Sequence, residues 1–207
     1  MARNTGPKCR LCRREGTKLF LKGARCHTAK CAMEGRSKPP GMHGWRRGRP
    51  SDYAVRLREM QKCKRYYGVL DGQFRRYFEA ARRIPGNTGE NLLCLLERRL
   101  DSVLVSTGLA VSRAQARQLI THGHIQVGGR KVDVPNYLVR ENDVVRPVPV
   151  DAILDAAREH REETGHPGPG WLAVNDADLT VRVTRMPVRA DVTAEVDDGL
   201  VVEFCSR

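Results

Sequence analysis

Residues 97–145 read ERRLDSVLVSTGLAVSRAQARQLITHGHIQVGGRKVDVPNYLVRENDVV, and their hydrophobic period changes partway along. Leu100, Val103 and Leu104 continue an apolar stripe that begins at Leu92, Leu93 and Leu96 and predicts a helix ending near Gly108. Ser112 and Gln115 then form a capping-box pattern. RAQARQLITH reads as a short helix closed by Gly123, with Ala116, Leu119 and Ile120 inward. Arg113 and Arg117 stand four apart and so share a face of it. From Ile125 the period drops to two. Ile125 and Val127 are expected to pair with Val132 and Val134 across a Gly128-Gly129 turn. Val144, Val145 and Val148 suggest a further strand. Helices followed by a hairpin point to an α+β module.

Beyond this stretch, residues 151–164 read as an acidic surface helix and GHPGPG as a loop. WLAVN, LTVRV and LVVEF are short strand candidates. From residue 148 onward there are 6 cations against 12 acids, so this part should turn away from phosphate or meet a basic protein.

Before it, Ser51 reads as an N-cap after Pro50, opening a helix that stops at Gly68. Its packing side is Tyr53, Leu57, Met60 and Tyr67. Asp71 starts a second helix, with Phe74, Tyr77, Phe78 and Ala81 at helical spacing, which fits a buried stripe better than a base-stacking platform. Asn87 and Glu90 resemble another capping box. Residues 35–50 are rich in Gly, Pro and Arg and read as an extended basic arm.

Ahead of the arm, Cys9 and Cys12 stand in CRLC, and Cys26 and Cys31 in CHTAKC. A Cys-x-x-Cys pair points two thiolates at one tetrahedral ion, and a second pair can close the site over a short hairpin. The segment has little apolar content beyond Leu11, Leu19, Phe20 and Leu21, so metal binding would hold it together. Four sulfur ligands fill the shell, which favours one structural zinc over a catalytic one. An iron–sulfur cluster uses the same ligands, His27 can substitute for a cysteine, and four unrelated thiols remain the alternative. Nothing reads as a secretory signal, so disulfides are not expected.

The chain has 207 residues and a net charge of +13, distributed unevenly. Residues 1–85 carry 23 Lys and Arg against 6 Asp and Glu, and the remainder 14 against 18. Such asymmetry predicts a polyanion facing the first part. Gly and Pro among the cations, without bulky apolar anchors, favour nucleic acid over a membrane surface. No apolar run is long enough to span a bilayer.

Residues 97–147 resemble the small RNA-binding module shared by ribosomal proteins, tyrosyl-tRNA synthetases and pseudouridine synthases. ARNTGPKCRLCRREGTKLFLKG, RPSDYAVRLREMQK, YGVLDGQFRRYF, GNTGENLL and LVVEFCSR extend the likeness. Together they resemble the family of bacterial small-subunit ribosomal protein number four, in its four-cysteine zinc-binding form. The chain departs from the family's usual residues at Val105-Ser106, Gly128-Gly129 and Cys205.

The resemblance implies a cytoplasmic, non-enzymatic constituent of the small ribosomal subunit. It would bind 16S ribosomal RNA directly and early in assembly, at a multi-helix junction of the 5′ domain. It would lie beside neighbouring ribosomal proteins near the mRNA entry region and affect decoding accuracy. The implied organisation is a zinc knot and arm over 1–50, a helical domain over 51–96 completed by a C-terminal strand at 195–207, and the module over 97–194.

With 5% aromatic residues, RNA contact is expected mainly through cations reading phosphates and the shape of folded RNA. Candidates are Arg13, Arg14, Lys22, Arg46, Arg47, Arg49, Arg56, Arg58, Lys62, Lys64, Arg65, Arg75 and Arg76. In the module they are Arg113, Gln115 and Arg117 at a helix start, with His122 and Lys131 secondary. The rival readings are an RNA-modifying or aminoacylating enzyme and a zinc-containing DNA-binding regulator. The first lacks a P-loop or dinucleotide fingerprint, and the second a convincing helix-turn-helix or finger pattern.

Overall fold

Pro7 and Gly16 bracket the first helix, α1, Lys8–Glu15; the glycine ends it in the left-handed region at φ 76. A 3-10 turn at Gly23–His27 and a single helical turn, α2, Ala32–Gly35, follow. These details come from a computed structural model that describes residues 5–42, 48–165 and 168–206. The chain divides into two units, residues 1–92 with 194–207, and residues 93–193.

In the first unit, α3 spans Asp52–Tyr67. Ser51 Oγ caps it by accepting the Ala54 N–H at 3.3 Å, and Gly68 closes it at φ 62. Met60, Cys63 and Tyr67 form its buried side. Tyr53, expected on that side, is 57% exposed. Helix α4, Asp71–Arg82, buries the expected stripe of Phe74, Tyr77, Phe78 and Ala81. Helix α5, Thr88–Glu97, starts where Asn87 Oδ1 accepts the Gly89 N–H at 2.9 Å. Glu90 bonds the Asn87 amide side chain at 3.2 Å.

The C-terminal segment corrects the sequence reading. LVVEF belongs not to a strand but to α9, Asp198–Cys205, which joins the first unit. Asp197 Oδ1 caps it by accepting the Leu200 N–H at 3.1 Å. The valines suggested a strand, but packing on α3 overrides that preference. Glu59 Oε1 accepts the Asp197 N–H at 2.8 Å, Arg56 pairs with Glu203, and the Tyr53 and Phe204 rings lie 5.6 Å apart. Gly89 sits so close to α9 that a Cβ there would lie 2.5 Å from Asp198 Oδ2 and 2.8 Å from its Cβ.

The expected single helix through Leu104 is interrupted. After α5 the chain extends at Arg99, which bridges Leu138, and restarts as α6, Leu100–Ser106. The Val139 N–H donates to Arg98 O at 3.0 Å and the Leu100 N–H to Tyr137 O at 2.9 Å, so strand-like pairing replaces helical bonds at the break. Helix α7, Arg113–Thr121, follows under its Ser112 cap.

Strands β1, Ile125–Val127, and β2, Arg130–Lys131, form the hairpin; Gly128 and Gly129 have φ 56 and 80, which a type I′ turn requires. The hairpin is shorter than expected. Val132 still donates its N–H to Ile125 O at 3.1 Å, but Val134 lies outside the pairing, 44% exposed and followed by Pro135. Next come β3, Val144–Pro147, α8, Asp151–Thr164, β4, Leu172–Asn175, and β5, Thr180–Val183. All neighbours in the sheet order β2-β1-β3-β5-β4 are antiparallel. Leu100, Val103, Leu104, Ile120, Ile125, Val145, Trp171, Val181 and Val183 share one core, joined by Ala157 of α8.

Candidate nucleic-acid interface and four-cysteine pocket

Helix α1 carries the first cysteine pair one turn apart, and the 3-10 turn and the start of α2 bring up the second. Cys9, Cys12, Cys26 and Cys31 line one small pocket with Lys8, Leu21, Lys22, Ala32 and Met33. The Lys22 backbone N–H points at Cys26 Sγ, 3.4 Å away. Burial pushes the Cys12 thiol up, a backbone bond from Leu19 lowers it, and Cys26, Cys9 and Cys31 add repulsion. Among the described residues, no three His, Cys, Asp or Glu side chains are placed so as to hold an ion. His27, the alternative ligand, is exposed and stacks on Phe20 at 5.0 Å between ring centroids. Cys205 lies in α9, where burial pushes its thiol up to about 11.

Helix α1 also holds Glu15, whose side chain is 1% exposed. Arg58 of α3 reaches it at 3.4 Å, and Arg65, two turns along, pairs with it too. Burial first, and repulsion from Arg14 second, lower the pKa of both guanidiniums. One carboxylate thus draws together a cluster with excess positive charge. It suits an incoming phosphate at its exposed edge, where Arg14 lies.

The remaining candidates sort by what already holds them. Lys64 and Arg75 bind Asp71 at 2.7 and 3.0 Å, Lys62 binds Glu59 at 2.6 Å, and Arg56 pairs with Glu203. The Lys64 bond chiefly holds the Asp71 carboxyl below its ordinary value, with Arg75 adding to it. Arg13 Nε donates to Lys38 O at 2.8 Å. Lys22, Arg49, Arg76, His122 and Lys131 are exposed. Arg46 and Arg47 lie outside the described residues.

The module's helix start differs from the expectation of open contacts. Arg117 Nε donates to Asp101 Oδ2 at 2.7 Å, and Arg99 forks onto both oxygens of the same carboxylate. Gln115 turns its Oε1 back to the Val111 N–H at 2.9 Å and places its Nε2 2.7 Å from His160 Nε2 of α8. These two side chains face partners inside the module, Arg117 the buried Asp101 and Gln115 the His160 ring of α8. Arg113 is half-buried in the first turn of α7.

Sequence reasoning missed Glu15, Asp101 and His160. Asp101 left one signal, a carboxylate set inside an apolar stripe two residues after Arg99. Among the described residues no helix is long and apolar enough to cross a membrane.

The family model described as Ribosomal protein S4/S9 N-terminal domain matches residues 3–97, and the S4 domain model matches residues 98–145. Small ribosomal subunit protein uS4 of Halothermothrix orenii is 51% identical over 215 residues, covering 100% of both chains. The uS4A protein of Symbiobacterium thermophilum is 51% identical over 213 residues, and uS4 of Thermodesulfovibrio yellowstonii 50% over 210, each again over 100% of both chains. Full-length likeness at half identity, and two adjoining domain models in order, leave one assignment: the chain belongs to the uS4 family of small ribosomal subunit proteins.

Proposed function

We infer that this chain is a structural, RNA-binding constituent of the small ribosomal subunit, that it takes part in the subunit's assembly in the cytoplasm, and that it is not an enzyme. The observation that carries this reading is full-length membership in the uS4 family. The charge distribution agrees with it: a net +17 over residues 1–85 suits a polyanion, and the excess of acids lies beyond residue 148. In finer detail, the chain binds 16S ribosomal RNA early, at the 5′ domain, through the knot, the arm and α3–α4. It sits beside other small-subunit proteins near the mRNA entry and contributes to accuracy there. The acidic surface beyond residue 148 suits a basic protein neighbour.

The decisive experiment is co-sedimentation with small subunits after a high-salt wash, with binding of 16S RNA compared against duplex DNA at moderate salt. Retention and RNA preference are expected. Loss from the subunit, or equal affinity for duplex DNA, contradicts the reading.

The pocket of four thiols holds one structural zinc in this proposal. The donor chemistry fits, although the four side chains would have to draw together to reach one ion: the pocket's lining offers sulfur and no carboxylate, and the Lys22 N–H directed at Cys26 suits a thiolate. Cys9, Cys12, Cys26 and Cys31 would close the shell. The ion's contribution is to fix the loop between α1 and α2, whose few buried residues cannot hold it by themselves.

A further inference from the structure

Phe20 combines three features that ordinary packing does not explain together. Its backbone has φ 49, a region bulky L-residues rarely enter. The residue is 43% exposed, so burial does not compensate for that conformation. Its ring also stacks on His27, at an interplanar angle of 25°. Single exposed apolar residues are common on protein surfaces. An exposed ring at an unfavourable dihedral and already half of a stack is a different case, because backbone outliers persist where surrounding structure imposes them and gather at ligand sites.

The surroundings that impose it are visible. Leu19, one residue earlier, takes the inward place at 3% exposure and binds Cys12 through its backbone. Gly23, three residues later, is buried at φ 63. Between these anchors the chain turns Phe20 outward, toward the exposed His27. The same short segment carries exposed Lys22, Arg25 and Lys30. Stacked rings set among cations suit an anionic polymer with flat bases: a base extends the stack and its phosphates meet the cations.

We propose that Phe20 and His27 form a platform on which an unpaired nucleobase of ribosomal RNA stacks. The proposal rests on the reading of the chain as an RNA-binding protein. It adds one stacking contact to an interface otherwise made by cations. Any base fits, because every base offers a π-face, so the platform contributes affinity and position more than sequence preference.

The test measures binding of the full-length protein to a full-length 16S RNA transcript over a series of salt concentrations. Phe20→Leu keeps an apolar side chain and removes the ring. It should weaken binding roughly 5- to 100-fold while leaving the salt slope unchanged, since every cation still meets its phosphate. His27→Ala should act in the same direction and Phe20→Tyr should stay near wild type. If Phe20→Leu and His27→Ala bind as wild type does, the platform is refuted and the RNA-binding reading stands. A slope that falls by about one means that a phosphate is no longer neutralised, and this also refutes the platform. Should the wild type itself show no preference for 16S RNA over duplex DNA, the RNA-binding reading fails and the platform with it. If Phe20→Leu unfolds the segment, Phe20→Trp decides: extra indole fluorescence quenched by the transcript supports stacking, and an unquenched signal overturns it.

Discussion

Arg117 Nε lies 2.7 Å from Asp101 Oδ2, and Asp101 has no exposed side-chain surface. Arg99, 2% exposed, holds the other side of that carboxylate. Asp101→Ala therefore removes the buried carboxylate that two guanidiniums share and should cost about 3–5 kcal/mol in denaturant unfolding of the second unit. Arg117→Ala leaves Arg99 in place and should cost less, about 1–3 kcal/mol. A stability within about 0.5 kcal/mol of wild type for Arg117→Ala would show that its pairing with Asp101 does not hold the module together.

Glu15 plays the corresponding part at α1. Replacing it by Gln should release Arg58 and Arg65 from their shared carboxylate and loosen α1 from α3. We expect faster hydrogen exchange in α1 with α4 unaffected. RNA affinity per folded molecule should not fall, because the change raises the net positive charge.

Exposed and paired cations should separate in salt dependence. Neutralising Arg49 and Arg76 should reduce the slope of log affinity against log salt by roughly 0.7–0.9 for each phosphate they neutralise in the wild type. Neutralising Lys62, which Glu59 already holds at 2.6 Å, should change it less. Equal slopes for the two sets would show that the internal pairs open when RNA binds.

Asp71 should make the α3–α4 corner sensitive to acid. Its carboxyl is depressed below the ordinary value, chiefly by Lys64. A depressed carboxyl contributes stability that is present above its unfolded pKa of roughly 3.9 and is lost as pH falls through the lower folded value. Asp71→Asn should therefore lower the melting temperature slightly at pH 7, by an amount worth about 0.2–1 kcal/mol. The gap to wild type should close in strong acid. A gap that is constant with pH would assign the effect to something other than ionisation.

The zinc proposal makes a separate prediction. Protein purified reduced should carry one zinc by elemental analysis, and Cys9→Ser should loosen the segment ahead of the arm while α3 and α4 stay folded. Iron, or no metal, would defeat it.

Much of this molecule was legible because local rules and packing agree. Ser51, Gly68 and the Phe74–Ala81 stripe each announce a helix boundary or face that the structure keeps. Three features were hidden for physical reasons. Arg99 pairs with Leu138, a contact 39 residues away that no local period reveals. The valines of α9 favour strand in isolation and become helical only against α3. Arg117 and Gln115 look like surface residues until Asp101 and His160, distant in sequence, claim them. A count of cations is thus a poor count of phosphate contacts, since Arg56, Arg58, Lys62, Lys64 and Arg65 all have acidic neighbours within the fold.

The pairing of α3 with α9 also sets an order of events during synthesis. Glu59 and Arg56 wait for Asp197 and Glu203, which emerge more than 130 residues later. All of residues 93–193 are made in between, so their sheet can form while the other unit still lacks its last helix. For that interval Gly89 faces no Asp198, and the side of α3 that α9 will cover stays open to whatever is nearby. A protein translated beside abundant RNA then has its basic arm available before its first unit is closed.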